Sequence, residues 1–354
     1  MNKNMAKIGR MTFCSLVVII LLGFLFLKST FIRSLENQPS YGSKDLTNSR
    51  YITPFNCSTS TGQPLFSVLS WNIEGLNPDK LAERTEVIVS YIRSVLPHVV
   101  CLQEVVRETL STFKSSLSDI YQVFGAPDYP GSKCRRYFVA VLIRKHSAIQ
   151  VDTRSFLVYP FPSSRMGRHL LSIDLILHPS RLVEKPREIH ARQSPDKLRL
   201  RIYTSHLESL DIGKTERVKQ LQYAWNRMSE ITPLNPNSTS VTSLPNAAIL
   251  CGDLNLEDNE VKQVGGVPKS IVDVWEATGS SANLHDTWDP KRNRNARLLS
   301  SDSASFRYDR MYQSGRCLKP MGFALCGFQA APNTELHPSD HWGILGLFSA
   351  AKSG

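Results

Sequence analysis

No cysteine and histidine in this sequence stand together at the spacing of a zinc site, which counts against zinc chemistry. No internal repeat is visible, which excludes a repeat array. Acidic residues are the scarcer charged class: 31 Asp and Glu face 42 Lys and Arg across 354 residues, for a formal charge of +11. That balance favours anionic partners, whether nucleic acid, phosphorylated molecules or an acidic membrane surface, although ordinary solubility also accounts for it. Cysteine is sparse, with seven in all, and Cys14 lies in an apolar segment. The other six are an even number, compatible with disulfides in an oxidising compartment. Their setting argues otherwise: Cys101 in VVCLQ and Cys251 in AILCGD sit inside apolar runs, where a reduced cysteine packs as a small hydrophobe. Sequons at Asn56 and Asn237 matter only in a secretory compartment, so the compartment stays open.

Charge is absent altogether from residues 11–27, MTFCSLVVIILLGFLFL, which are bracketed by Lys3, Lys7 and Arg10 before and Lys28 and Arg33 after. The stretch is long enough to cross a bilayer as an apolar helix. A cleaved signal peptide is the alternative, but small residues usually follow its apolar part and Lys28 follows here, so an uncleaved single-pass anchor is the preferred reading. The slight basic excess on the amino-terminal side would keep residues 1–10 cytosolic. Residues 28–63 are polar and without periodicity, and read as a linker.

From 64 to 349 no further polar break appears, and an apolar fraction of 41% suits a folded core. Eight apolar runs read as strands: FSVLSWN, HVVCLQ, RYFVAVLIR, HLLSIDLIL, LRLRIYTSH, AAILCGD, FRYDRMY and HWGILGLF. Two helices interleave them. One follows the cap sequence Asn77-Pro78-Asp79, sets Leu81, Ile88, Ile92 and Val95 on one face and stops before Pro97. The other runs from about Lys214 to Ile231 with Val218, Leu221, Trp225 and Met228 as its stripe. The span reads as one α/β domain.

Five short motifs close these strands: SWNIEGL, LQEV, SHLES, GDLNLED and SDHWG. Singly each has a plain explanation. Glu104 could face the positive end of a helix dipole, Asp253 and Asn255 could form an Asx turn, and HPSDHWGIL could be a turn into a strand. Together they suggest a site at one edge of a sheet sandwich, because strand ends do not otherwise gather so many polar groups. The chemistry they suit is metal-assisted phosphodiester hydrolysis. Glu104, Glu74 and Asp340 are hard oxygen ligands for magnesium or manganese. Asp253 would orient or deprotonate a water, Asn255 would hold the phosphate, and His341 and His206 would donate to phosphoryl oxygens. Asp309 would fix the tautomer of His341.

These motifs, with MGRHLLSI, VGGVPKSIVDVWEATG, TWD and FRYDRMY in order, resemble the endonuclease/exonuclease/phosphatase superfamily and within it the tyrosyl-DNA phosphodiesterase 2 family. The resemblance covers essentially residues 65–349. It implies a four-layer α/β sandwich of the DNase I-like kind, with two packed mixed sheets flanked by helices. It also implies magnesium-dependent hydrolysis of the bond between a tyrosine side chain and a DNA 5′-phosphate, clearing topoisomerase II adducts. By the same resemblance Glu104 is the metal ligand and Asp253 acts on the water. Asn72, Asn255, His206, Ser209 and His341 contact the phosphate, and Trp288 stacks on a base. The implied partners are DNA 5′ ends carrying tyrosyl adducts and a topoisomerase II-derived peptide; the protein would be a monomer and nuclear.

The sequence departs from the family pattern in three places. Glu74 stands where the family has aspartate, one methylene shorter. Glu257 stands where it often has arginine, and would repel a phosphate unless Lys291, Arg292, Arg294 and Arg297 compensate. The segment 11–27 replaces the usual amino-terminal ubiquitin-binding region, which sets a membrane anchor against a nuclear address. Two alternatives follow: an enzyme of the same fold acting on sphingomyelin or RNA, and a non-catalytic scaffold.

Overall fold

Alternation along the strands presents two apolar faces, and the two faces bury against different layers. The computed structural model describes residues 65–125, 136–182, 197–231, 244–300 and 303–350. The tail at 1–10, the apolar helix expected at 11–27 and the linker at 28–63 lie outside the described residues, among which no helix is long and apolar enough to cross a membrane.

One six-stranded sheet contains β1 (Leu65–Asn72), β2 (Val99–Val105), β3 (Tyr121–Gly125), β4 (Phe138–Arg144), β11 (Leu318–Cys326) and β12 (Gly343–Ala350), in the order β11-β12-β1-β2-β4-β3. The other contains β5 (Ile149–Pro160), β6 (His169–Leu177), β7 (Leu198–His206), β8 (Ala247–Asp253), β9 (Ile271–Asp273) and β10 (Asp309–Ser314), in the order β5-β6-β7-β8-β10-β9. Each sheet has one parallel pair, β1 with β2 and β7 with β8, and is otherwise antiparallel. A parallel pair needs a crossover. The two helices read from the sequence lie in those two crossovers, as α1 (Leu81–Val95) and α3 (Lys214–Ser229). Helix α2 (Arg107–Leu117), which the sequence reading did not place, follows β2.

Layering follows residue parity. Phe66 and Val68, Val99 and Cys101, Leu171 and Ile173, and Ile249 and Cys251 pack together between the sheets. On the other face of the first sheet, Leu69, Trp71, Val100 and Leu102 meet Ile88, Val89 and Ile92 of α1 and Leu110 and Phe113 of α2. Leu170, Tyr203, Ala248 and Leu250 meet Leu221, Ala224, Trp225 and Met228 of α3 on the far side. The result is the expected four-layer α/β sandwich. Cys101, Cys251, Cys317 and Cys326 are buried and unpaired thiols, as the apolar settings of the first two required.

Helix α1 starts differently from the reading. Asn77 Oδ1 accepts from Asp79 N at 3.0 Å and shapes the preceding turn, while the helix is entered from Lys80 in a left-handed conformation with no side-chain cap.

Because both parallel pairs run the same way relative to their crossovers, the carboxyl ends of β1 and β2 and of β7 and β8 carry Asn72, Glu104, His206 and Asp253. Strand β10 begins at Asp309, and β12 begins just after His341. Register sets His206 opposite Asp253, and Asp253 opposite Asp309.

Candidate active site

Three donors converge on one buried carboxylate oxygen. Asp253 Oδ2 accepts from Asn72 Nδ2 at 2.9 Å and lies 3.3 Å from His206 Nε2 and 3.6 Å from His341 Nε2. Its Oδ1 accepts from the backbone N–H of Asn255 at 3.0 Å. Burial alone would raise the Asp253 pKa; His341 and His206, with the Asn72 and Asn255 bonds, outweigh it and hold the carboxyl below its ordinary value. Behind His341, Nδ1 sits 2.7 Å from Asp309 Oδ2, the tautomer partner expected from the sequence. Burial would lower His341, but Asp309, Asp253 and Asp340 hold it well above the usual imidazole value, so it is the cation of the pair. Burial, then Arg168, pushes His206 well below it, so His206 is neutral. Asp309 Oδ1 and His206 Nδ1 are buried without a hydrogen bond.

A second group of carboxylates adjoins the first. Burial and then the charge of Asp340 push the Glu104 carboxyl up to about 7, with Asp253 adding to the rise. Glu104 has φ 55° at a bulge where the β2–β4 register breaks, and Glu74 and Asn255 have φ 51° each. Three non-glycine residues in the left-handed region at one sheet edge mark stored strain, of about 1–3 kcal/mol apiece, at a built site. Gly75 makes the approach possible: a Cβ there would lie 2.1 Å from the carbonyl oxygen of Glu104.

Around this centre, Trp288 is half-buried, donates from Nε1 to Asp340 Oδ2 at 3.3 Å and bridges to His341 through its backbone. It lies 6.2 Å from Phe306 and 6.1 Å from Tyr308 between ring centres, and Tyr308 lies 6.4 Å from His341. Near His206 sits Arg168, 5% exposed, stacked 5.1 Å from the Tyr137 ring and donating to Ser209 Oγ at 3.2 Å. Its Nε and Nη1 are buried and unbonded. Sequence reasoning did not single out Arg168, Tyr137, Phe306 or Tyr308. Arg168 lies just before β6 in MGRHLLSI, a stretch that carried the resemblance without a role being given to its arginine.

The Endonuclease/Exonuclease/phosphatase family model matches residues 69–218. Human tyrosyl-DNA phosphodiesterase 2 is 32% identical over 306 residues, 85% of this chain and 72% of the human protein. The chain belongs to the tyrosyl-DNA phosphodiesterase 2 family. A crystal structure of D. rerio TDP2 complexed with single strand DNA product superposes with a TM-score of 0.65 at 28% identity, covering 81% of this chain and 99% of that one. A mannosyl-6-phosphatase from Bacteroides thetaiotaomicron, 14% identical with a TM-score of 0.55 over 80% of this chain and 99% of its own, shares the fold alone.

The departures from the tyrosyl-DNA phosphodiesterase 2 pattern have structural answers. Glu74 is 4% exposed, and its oxygens accept from Asn77 at 2.8 Å, Asn295 at 2.7 Å and the buried Arg84 at 3.3 Å, so the longer side chain reaches into the turn. Glu257 lies 3.9 Å from Lys214. The arginines of the basic run are engaged within the protein. Arg294 pairs with Glu335, Arg297 donates to the carbonyls of Pro290 and Lys291, and Arg292 lies over Phe328 at 5.2 Å. Asn255 donates its side-chain amide to Leu207 O at 3.3 Å.

A hard divalent cation fits the donor set. Glu104 and Asp340 offer carboxylate oxygens; burial and then the charge of Asp340 raise Glu104, and a cation between the two would offset both. Among the described residues the ligand atoms of Asp253, Asp309 and His341 also lie within 4.8 Å of one another. That trio is already joined by the 2.7 Å His341–Asp309 bond, which suits a proton-holding relay better than a metal cage.

Proposed function

We propose that the protein is a magnesium-dependent 5′-tyrosyl-DNA phosphodiesterase that hydrolyses the bond between a tyrosine side chain and a DNA 5′-phosphate, as on topoisomerase II adducts. The observation that carries this reading is the ionised, buried Asp253 carboxylate on which Asn72, His206 and His341 converge. Magnesium, or manganese, held by Glu104 and Asp340 would polarise a phosphoryl oxygen and offset its developing charge. Asp253 takes a proton from the attacking water as its oxygen bonds to phosphorus. Cationic His341, its ring held by Asp309, donates from Nε2 to the phosphoryl oxygens, and neutral His206 adds a second N–H. The P–O bond to tyrosine breaks, the phenolate departs and takes up a proton from solvent, and a 5′-phosphate remains. Arg168 offers its two unbonded donors to the reacting phosphate, which supplies the cation that Glu257 does not. Glu74 holds the Asn72 turn through Arg84 and Asn295, and Trp288 with Tyr308 forms an aromatic platform for a terminal base.

The test is turnover of a 5′-phosphotyrosyl oligonucleotide by the full-length protein with magnesium, beside an EDTA control and Asp253→Asn. Release of tyrosine and a 5′-phosphate, lost with EDTA and reduced roughly a thousandfold or more in the variant, is expected. A folded protein that releases no tyrosine while hydrolysing a choline phospholipid would overturn the substrate class.

A further inference from the structure

Beyond Arg168 the structure continues into a second recess. Met166 lines a small recess with Arg168 and His206, and also lines a neighbouring cavity of about 320 Å³ with Arg165, Glu208, Ile212, Thr215 and Glu216. An apolar cavity of roughly 150 Å³ already accepts a benzene-sized group. Both walls are built rigid. On one, Glu208 accepts from Ser164 Oγ at 2.6 Å, from the backbone N–H groups of Arg165 and Met166 at 2.9 Å each and from Gln220 at 3.2 Å. Behind the segment that carries Ile212, buried Arg217, paired with Glu260 at 2.8 Å, donates to Leu210 O at 2.6 Å. That bond holds Leu210 at φ 66°, a strained conformation for a leucine.

The consequence of this costly support is an exposed apolar ledge: Leu210 is 69% and Ile212 73% accessible, immediately after the site residue Ser209. Large apolar side chains held out beside a buried ion pair and a strained backbone are what a recognition surface needs. Nucleic acid is a poor occupant, because Glu208 and Glu216 outnumber Arg165 along the cavity and Asp211 adds a carboxylate on the ledge. Trp288, Phe306 and Tyr308, the larger group of rings that suits bases, gather at His341, whereas the cavity adjoins the His206 side, where the Tyr137 ring is already stacked on Arg168.

We propose that this cavity is the subsite for the polypeptide that carries the tyrosine, taking an apolar side chain next to the scissile bond. The inference rests on the phosphodiesterase reading above. It is tested by measuring kcat and KM of the full-length protein on three adducts of one oligonucleotide. One carries tyrosine alone, one a short peptide with leucines beside the tyrosine, and one the same peptide with aspartates. The leucine peptide is expected to have a KM about tenfold below the other two, and Ile212→Asp, at an exposed position, to remove that advantage while the kcat for tyrosine alone holds. Equal KM for all three adducts overturns the subsite and leaves the activity standing. A change in dependence on oligonucleotide length in Ile212→Asp assigns the recess to nucleic acid and overturns it as well. No turnover of any adduct overturns the activity, and the subsite with it.

Discussion

Arg168 is a half-satisfied guanidinium buried beside the candidate active site, and stability does not explain it. Two of its nitrogens have no partner, and the Tyr137 ring and the Ser209 hydroxyl offset only part of its desolvation. Replacing it with a thioether of similar length removes the unpaired donors and keeps the volume. Arg168→Met is therefore expected to melt at or above the wild-type temperature while kcat/KM on 5′-phosphotyrosyl DNA falls by roughly a hundredfold or more. A drop in both would make Arg168 a packing residue. His98 is the opposite case, a histidine whose burial is fully partnered. Its Nδ1 accepts from Ser67 N at 3.1 Å and lies 2.8 Å from Ser67 Oγ, its ring stacks on Phe66, and burial, then His146 and Arg144, lower its pKa to about 3. The folded state refuses a proton that the unfolded chain accepts below about 6.5, so stability falls as pH drops from there toward 3. Between pH 7 and pH 5 chemical denaturation should show the wild type losing about 2 kcal/mol more than His98→Asn, which keeps an acceptor without the titration. The site carboxylates, amides and imidazoles were legible because polar groups at the ends of apolar strands are costly unless used. Arg168 was not, since one arginine before a strand looks like any solvated cation.

At the scale of elements, the legible strands were the interior ones. The eight apolar runs correspond to β1, β2, β4 and β12 in one sheet and β6, β7, β8 and β10 in the other, and all four strands that were not read, β3, β5, β9 and β11, are sheet edges. An interior strand packs on both faces and needs a near-continuous apolar run. An edge strand buries less, as the half-buried and exposed positions along β5 show, and its pattern fades into that of a loop. The bulge in β2 was equally silent, because only the partner strand defines the extra residues. That bulge aims Glu104, and the turn after β1 must pass within contact of it at Gly75. Gly75→Ala sets a methyl 2.1 Å from the Glu104 carbonyl oxygen, which as backbone cannot rotate away. The expected result is a loss of about 1–3 kcal/mol in denaturant unfolding together with at least a tenfold fall in activity. Wild-type activity in a destabilised Gly75→Ala protein would detach the bulge from catalysis.

Across the whole molecule, two sheets each bring a parallel pair and its neighbours to one edge, and the edge collects more negative charge than its own cations neutralise. Arg84 and Arg217 are committed to Glu74 and Glu260, which leaves Glu104 and Asp340 crowded together. Folding without a cation therefore confines like charges that the unfolded chain keeps apart in water. Magnesium should stabilise the fold by mass action, by about 2.7 kcal/mol at a hundred times its Kd, and so raise Tm by several degrees. Glu104→Gln removes one of the opposed charges and one of the ligands at once. In EDTA the variant is expected to melt above wild type, and in magnesium its Tm should not move, so the two proteins exchange rank with the metal. A variant that melts lower in EDTA would mean that Glu104 is stabilising in the metal-free fold, and a variant that keeps the full magnesium shift would put the cation elsewhere.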